Sequence, residues 1–219
     1  MAFLPSAAVP SLFARVLRPF STSASSSMSL GPESAGGAST QQNSAPNVQK
    51  ATFAAGCFWG VEHLFRKHFG NGKGLLDAKV GYCGGVTNAP TYRSVCSGTT
   101  GHAEALQMVF DPSIVSYRQL VEFFYRMHDP TTLNRQGPDT GTQYRSVIFT
   151  HDEEQQKTAE LVTEKVGKEW WTDKPVTTVV APAGHWWDAE EYHQLYLQKN
   201  PSGYECPSHF VRDFPPLSP

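Results

Sequence analysis

Apolar and polar positions repeat with two different periods along residues 48–214, and the elements they mark come in mixed order. Lys50-Ala51-Thr52-Phe53-Ala54-Ala55 reads as a short strand. From Val61 to Phe69 a helical period places Val61, Leu64, Phe65 and His68 on one face. A strand follows near 74–80, then a glycine-rich loop, Gly81-Tyr82-Cys83-Gly84-Gly85, and a polar loop through Pro90-Thr91-Tyr92-Arg93 to Gly101. Residues 103–110 alternate as a strand, with Glu104, Leu106, Met108 and Phe110 on one face. Residues 116–128 predict a helix capped by Ser116, with Leu120, Phe123, Phe124 and Met127 facing inward. The polar stretch 129–141 has the length of a binding loop. Strands are predicted at 143–150 and 176–181, and helices from His151 or Asp152 to about Glu169 and over 189–199, with Asp152-x-x-Gln155 resembling a capping box. Strands that do not alternate strictly with helices predict an α+β, two-layer sandwich rather than a doubly wound sheet, with an irregular tail from Asn200.

Composition sharpens this picture. The 219 residues suffice for one domain with a real core, and 39% hydrophobic with 12% aromatic residues suits a globular protein. A net charge of -2 gives no electrostatic case for nucleic acid or an anionic membrane surface. No apolar run approaches the roughly 18 residues that span a bilayer. Four cysteines are too few for a disulfide-dense scaffold, and with no Cys-x-x-Cys spacing a structural zinc is not expected. Residues 1–48 differ: rich in Ser, Ala, Pro and Gly, they hold a single acidic residue, Glu33. Arg15 and Arg18 lie among Leu12, Phe13, Val16, Leu17 and Phe20, ahead of a serine-rich run, which is the composition of a mitochondrial transit peptide. A disordered extension is the alternative. Met28 offers an internal start that would yield an untargeted, cytoplasmic form. The expected partition is an extension over 1–48, a catalytic domain over 49–199, and a tail over 200–219.

Candidate chemistry centres on Gly56-Cys57-Phe58-Trp59-Gly60. Cys57 falls at a strand-to-helix turn, where unpaired N–H groups favour a thiolate, and Phe58 and Trp59 can wall a small apolar pocket beside it. A buried structural cysteine is the alternative. Glu104, among apolar neighbours on its strand face, is a candidate proton donor whose pKa desolvation would raise; a strand-start carboxylate facing water is the alternative. Tyr92 and Tyr144 could hold a polar substrate oxygen, with Asp139 orienting them, although surface tyrosines and a turn aspartate would look the same. Cys206, in a flexible tail, could meet an oxidised first thiol as a resolving cysteine. Cys83 and Cys96 are bystanders or rivals for that role, and the histidines are scattered.

Together these residues resemble the A-type peptide methionine sulfoxide reductases. The matching stretches, in the family's order, are 56–60, 81–85, 91–98, 101–105, 141–146, 193–197 and 199–204. The resemblance implies a ferredoxin-like mixed sheet and reduction of the S epimer of methionine sulfoxide, free or in proteins. It makes Cys57 the nucleophile, Phe58 and Trp59 the holders of the substrate methyl, Glu104 the proton donor, and Tyr92, Tyr144 and Asp139 its supporting network. It pairs Cys57 with Cys206 in a disulfide that thioredoxin reduces, with no metal or bound organic cofactor. A monomer is expected. Two departures stand out: only Cys206 follows the domain where many relatives carry two cysteines, and Cys83 replaces a threonine common in the family. A cysteine hydrolase or acyl transferase would instead need a histidine at Cys57, and a redox-responsive binding module would not need Glu104.

Overall fold

The computed structural model describes residues 47–219. They run β1 (Gln49–Ala55), α1 (Phe58–Phe69), β2 (Leu75–Cys83), α2 (Tyr92–Cys96), β3 (Ala103–Phe110), α3 (Tyr117–Met127), β4 (Arg135–Gln136), β5 (Asp139–Thr140), β6 (Ser146–Thr150), α4 (Glu153–Glu169), β7 (Val179–Pro182), β8 (Trp187–Asp188) and α5 (Tyr196–Lys199). The targeting segment and Met28 lie outside the described residues. No described helix is long and apolar enough to cross a membrane.

β1 is buried from Ala51 to Ala55, so both of its edges need hydrogen-bonded partners. It lies between β3 and β6, antiparallel to each, in a sheet of order β7-β6-β1-β3-β2-β8. Only the β6–β7 pair is parallel, which makes the sheet mixed. Side chains alternate across it. Phe53, Tyr82, Leu106, Met108, Phe110 and Ile148 face a helical layer, where Phe65, Leu120, Phe124 and Val162 close the main core. Ala54, Cys83, Ala103, Ala105, Val147 and Phe149 form a smaller cluster on the other face. The α+β two-layer reading therefore holds.

Several boundaries differ from the sequence pattern, each for a tertiary reason. The glycine-rich loop is strand: Gly81, Tyr82 and Cys83 pair with Ala105, Glu104 and Ala103, and the Trp186 ring and Trp187 carbonyl take the space a Cβ at Gly81 would need. The polar loop folds into α2 because Thr91 and Ser94 form a reciprocal capping box. The predicted strand over 143–150 begins only at Ser146, after a 3-10 turn over Thr142–Tyr144. Loop 129–141 is tied by the β4–β5 pair, Gln136 opposite Asp139. On α1 it is Phe69 that is buried, while His68 stays exposed at the rim and stacks on Phe123. The box at Asp152 is half formed: its carboxylate accepts from Gln155 N, but Gln155 Oε1 takes the N–H of His151. The helix expected over 189–199 is broken at Leu195, which is left-handed (φ 56°) and donates its N–H to Glu62 Oε2 at 2.8 Å. Just before it, the Gln194 side chain bonds both the N–H and the carbonyl of Val80.

Phe124 is fully buried, with ring centroids 5.3 Å from Phe53 and 4.3 Å from His128. Phe124→Ala is expected to cost about 3–5 kcal/mol, read as a lower urea midpoint at unchanged slope. A loss below about 1 kcal/mol would show that this stack contributes little.

Candidate active site

β1 ends at Ala55 and α1 starts at Phe58, so Cys57 caps the helix. The glycines around it are there for close approach. Gly56 has a φ of 92°, and a Cβ on it would lie 2.6 Å from Gln136 Cβ. At Gly60 the space a Cβ would fill is taken by His209 Nδ1. The hairpin of β4 and β5 and the C-terminal tail thus both press on the Cys57 turn.

The expected resting thiolate is not what this turn holds. Burial pushes the Cys57 thiol well above its ordinary pKa, and Glu104 adds to this once its own carboxyl ionises. The N–H groups of Trp59 and Gly60 work in the opposite direction but are outweighed. Cys57 is therefore a neutral thiol at rest, though one whose anion already has two N–H partners waiting.

Glu104 lies 1% exposed on the helix-facing side of β3, opposite Tyr82. Its Oε2 accepts the N–H of Phe58 at 3.1 Å, one of the unpaired groups at the start of α1. Burial raises the carboxyl to about 8, against the pull of that N–H. Glu104 is thus an acid at neutral pH, bonded to the residue that follows Cys57. Tyr92 opens α2, where its N–H donates to Glu190 Oε1 at 2.9 Å, and Tyr144 closes the 3-10 turn before β6. Burial raises both phenols, and Cys96, Glu104 and Cys57 lie near enough to act on both when ionised, so they share that neighbourhood. Asp139 accepts from the Tyr204 hydroxyl at 2.9 Å through Oδ1, while its Oδ2 is buried without a partner. Its charge reaches Cys57, Glu104 and Cys206.

Phe58 is 1% exposed and packs on Tyr82 and His193. Half-buried Trp59 stacks on Tyr196 at 3.7 Å and donates its indole N–H to His193 Nδ1 at 3.0 Å. Glu190 joins this wall by accepting from the Tyr82 hydroxyl at 2.8 Å. His193, Tyr196, Glu190, Gln136 and His209 were not singled out from sequence as site residues. The string around His193 was visible, but nothing in it says which ring it meets.

Cys206 is 1% exposed, not loose: its Sγ donates to the Gln136 carbonyl at 3.4 Å and lies 3.3 Å from Ser208 Oγ. Cys83 belongs to the cluster on the opposite face of the sheet, away from Cys57, whereas Cys96 ends α2, exposed, beside Tyr92. Among the described residues no histidine ring bonds Cys57: His193 serves Trp59 and His209 Nε2 serves the Ala55 carbonyl. A hydrolytic cysteine–histidine pair is therefore not formed.

A thiol and a protonated carboxyl converging at one helix start define a cysteine-dependent enzyme with its own acid. The peptide methionine sulfoxide reductase family model matches residues 49–213. A probable peptide methionine sulfoxide reductase of Schizosaccharomyces pombe is 53% identical over 165 residues, 75% of this chain and 97% of that protein. The reduced form of Mxr1 from Saccharomyces cerevisiae is similar with a TM-score of 0.71 at 44% identity, covering 76% of this chain and 93% of that one. Mxr1 in complex with Trx2 is similar with a TM-score of 0.54 at 30% identity, covering 80% and 97%. The chain belongs to the peptide methionine sulfoxide reductase family, and reduction of methionine sulfoxide is its reaction.

The Glu104 environment has a pH signature. In the unfolded chain the carboxyl ionises near its ordinary 4.5, but in the fold only near about 8. Between those values the folded state holds the extra proton, so stability falls as pH rises through that window and levels off above it. Glu104→Gln removes this slope. The variant is expected to match the parent near pH 5 and to exceed it by at least about 1 kcal/mol near pH 8 in urea titrations. A difference that does not change with pH would refute the protonated resting state.

Proposed function

We propose that this enzyme reduces the S epimer of methionine sulfoxide, in proteins and as the free amino acid, and so repairs oxidised proteins. Cys57 attacks the sulfoxide sulfur while Glu104 gives its proton to the oxygen, which Tyr92 and Tyr144 hold by hydrogen bonds and Asp139 supports; the proton that Cys57 loses restores Glu104. Phe58 and Trp59 take the substrate methyl. The thiol passes two electrons to the sulfoxide and receives its oxygen, leaving methionine and a Cys57 sulfenic acid. The Cys206 thiol then attacks the Cys57 sulfur, the S–O bond breaks, and water leaves as the Cys57–Cys206 disulfide forms. Thioredoxin reduces that disulfide by exchange; the yeast relative crystallised with Trx2 supports this donor. No metal or bound organic cofactor takes part.

The observation that carries this reading is the acid kept protonated near neutral pH beside Cys57, with Oε2 on Phe58 N. A sulfoxide is a poor electrophile until its oxygen is protonated or hydrogen-bonded, so a neutral carboxylic acid is the group the reaction needs. Cys57→Ser is expected to consume no methionine sulfoxide. Glu104→Gln should slow its reduction by about a hundredfold or more while Cys57 stays alkylatable. Cys206→Ser with thioredoxin should yield about one methionine per enzyme, because its sulfenic acid has no partner. Full multiple turnover by Cys206→Ser would pass the resolving role to another thiol, of which Cys96 stands on the site's side.

We further propose that residues 1–48 direct the chain to mitochondria and that a start at Met28 yields a cytoplasmic form. The support is Arg15 and Arg18 among the apolar Leu12, Phe13, Val16, Leu17 and Phe20 ahead of a serine-rich run, with Glu33 the single acid. Tagged full-length and Met28-start chains should localise differently when imaged; identical cytosolic patterns would sink the idea.

A further inference from the structure

The tail is fixed to the body at two places, with Cys206 between them. Upstream, Gly203 turns against the Tyr196 ring and donates its N–H to the Asn200 carbonyl at 2.8 Å. Downstream, the His209 N–H closes a turn onto the Cys206 carbonyl at 2.9 Å. The His209 ring is 5% exposed, and its Nε2 donates to the Ala55 carbonyl at 2.6 Å. Ala55 is the last residue of β1, two before Cys57. That bond puts the ring proton on Nε2, and the bare Nδ1, buried without a partner, fills the niche that Gly60 leaves open. The ring's place is set by shape and one hydrogen bond. The Cys206 thiol itself makes weak contacts to Gln136 O and Ser208 Oγ, with Asp139 and the Tyr204 hydroxyl also beside it, and it can give these up easily.

We propose that His209 is a positioning residue for disulfide formation: it pins the turn that carries Cys206 onto the turn that carries Cys57. The inference rests on Cys206 being the resolving thiol. His209 touches neither reacting sulfur; it fixes where the root of the arm stands relative to the Cys57 backbone. Removing it does not free the whole tail. Beyond it, Arg212 N donates to the Arg126 carbonyl at 3.0 Å and Trp170 Nε1 to the Pro215 carbonyl at 2.9 Å, with Phe214 stacked on Trp170. Between Cys206 and His209 one tie remains, the Ser208 hydroxyl on Gln136 Oε1 at 2.7 Å; with that tie also released the arm's downstream root retreats to Arg212. Loop-closure entropy for so small a lengthening slows closure by less than about twofold. Any larger effect must come from lost orientation of the attacking sulfur.

The test separates the two chemical steps. Reduced enzyme is mixed rapidly with one equivalent of methionine sulfoxide, and methionine release and loss of the second thiol are followed separately. His209→Ala is expected to slow thiol loss at least about fivefold more than it slows methionine release. His209→Gln, whose amide N–H can still donate to the Ala55 carbonyl, should recover most of the loss. Should His209→Ala not fold, His209→Phe, which keeps a ring but cannot donate to the Ala55 carbonyl, is read in the same way. A selective slowing below about twofold, the tether limit, or an equal slowing of both steps, overturns the anchor. Cys206→Ser losing its second thiol at the parental rate overturns the resolver assignment instead, whatever His209→Ala does.

Discussion

The hydrogen bond from Phe58 N to Glu104 Oε2 is the constraint around which the site is built. It joins the start of α1 to β3 on the helix-facing side of the sheet, and so fixes the acid beside the helix-capping thiol. A helix start has N–H groups without intrahelical partners, and a buried carboxyl needs a donor; each meets the other's need. The bond favours the ionised acid, yet burial wins and the proton stays. The main core in turn fixes the bond, because Phe58 and Tyr82 pack together on the same side as Glu104. A shift of α1 against the sheet would move nucleophile and acid apart together with their packing.

The surrounding residues hold this pair in place through contacts far apart in sequence. Trp59 is oriented by the His193 imidazole and the Tyr196 ring, and both come from the segment that Glu62 breaks at Leu195. An unbroken helix over that stretch would use the Leu195 N–H within itself and lose the Glu62 bond. Glu190 then links the Tyr82 hydroxyl to the N–H of Tyr92, tying the apolar wall to the phenol expected on the substrate oxygen. The broken helix is what lets one short segment serve two sides of the site.

Sequence reasoning succeeded where one element decides its own surroundings. β3 was legible to the residue because strict alternation of Glu104, Leu106, Met108 and Phe110 admits one face, and α3 because Ser116 and Gln119 cap it locally. The burial that makes Glu104 an acid was one of the two readings that alternation allowed, the other being a strand-start carboxylate facing water. The charge state of Cys57 did not follow, because it is a contest. The helix start pulls toward thiolate, while burial pulls harder the other way, and only the assembled site shows which is larger. Gly81–Cys83 looked like a loop because glycine density marks turns, whereas here Gly81 makes room for Trp186. Cys206 looked mobile because its neighbours are Gly, Pro and Ser, but the hydrogen bonds that bury it come from β4 and Ser208. The site-defining contacts of His193 and His209 are long-range, and local pattern carries no trace of them.

The neutral resting pair bears on what the enzyme can react with. A thiolate at an exposed helix start would be open to any oxidant, since susceptibility follows thiolate character and exposure. Cys57 has neither: it is 6% exposed and its pKa is raised by burial. On the proposed mechanism attack needs no resting thiolate. A sulfoxide oxygen arriving at Glu104 takes a hydrogen bond from the acid, and the nucleophile then forms against a sulfur made electrophilic by that same bond. The Trp59 and Gly60 N–H groups, too weak to hold a thiolate at rest, are already aimed at the developing charge and need no rearrangement to stabilise it. Coupling the nucleophile's charge to the substrate's oxygen lets an oxidation-repair enzyme keep its own thiol reduced until there is a sulfoxide to repair.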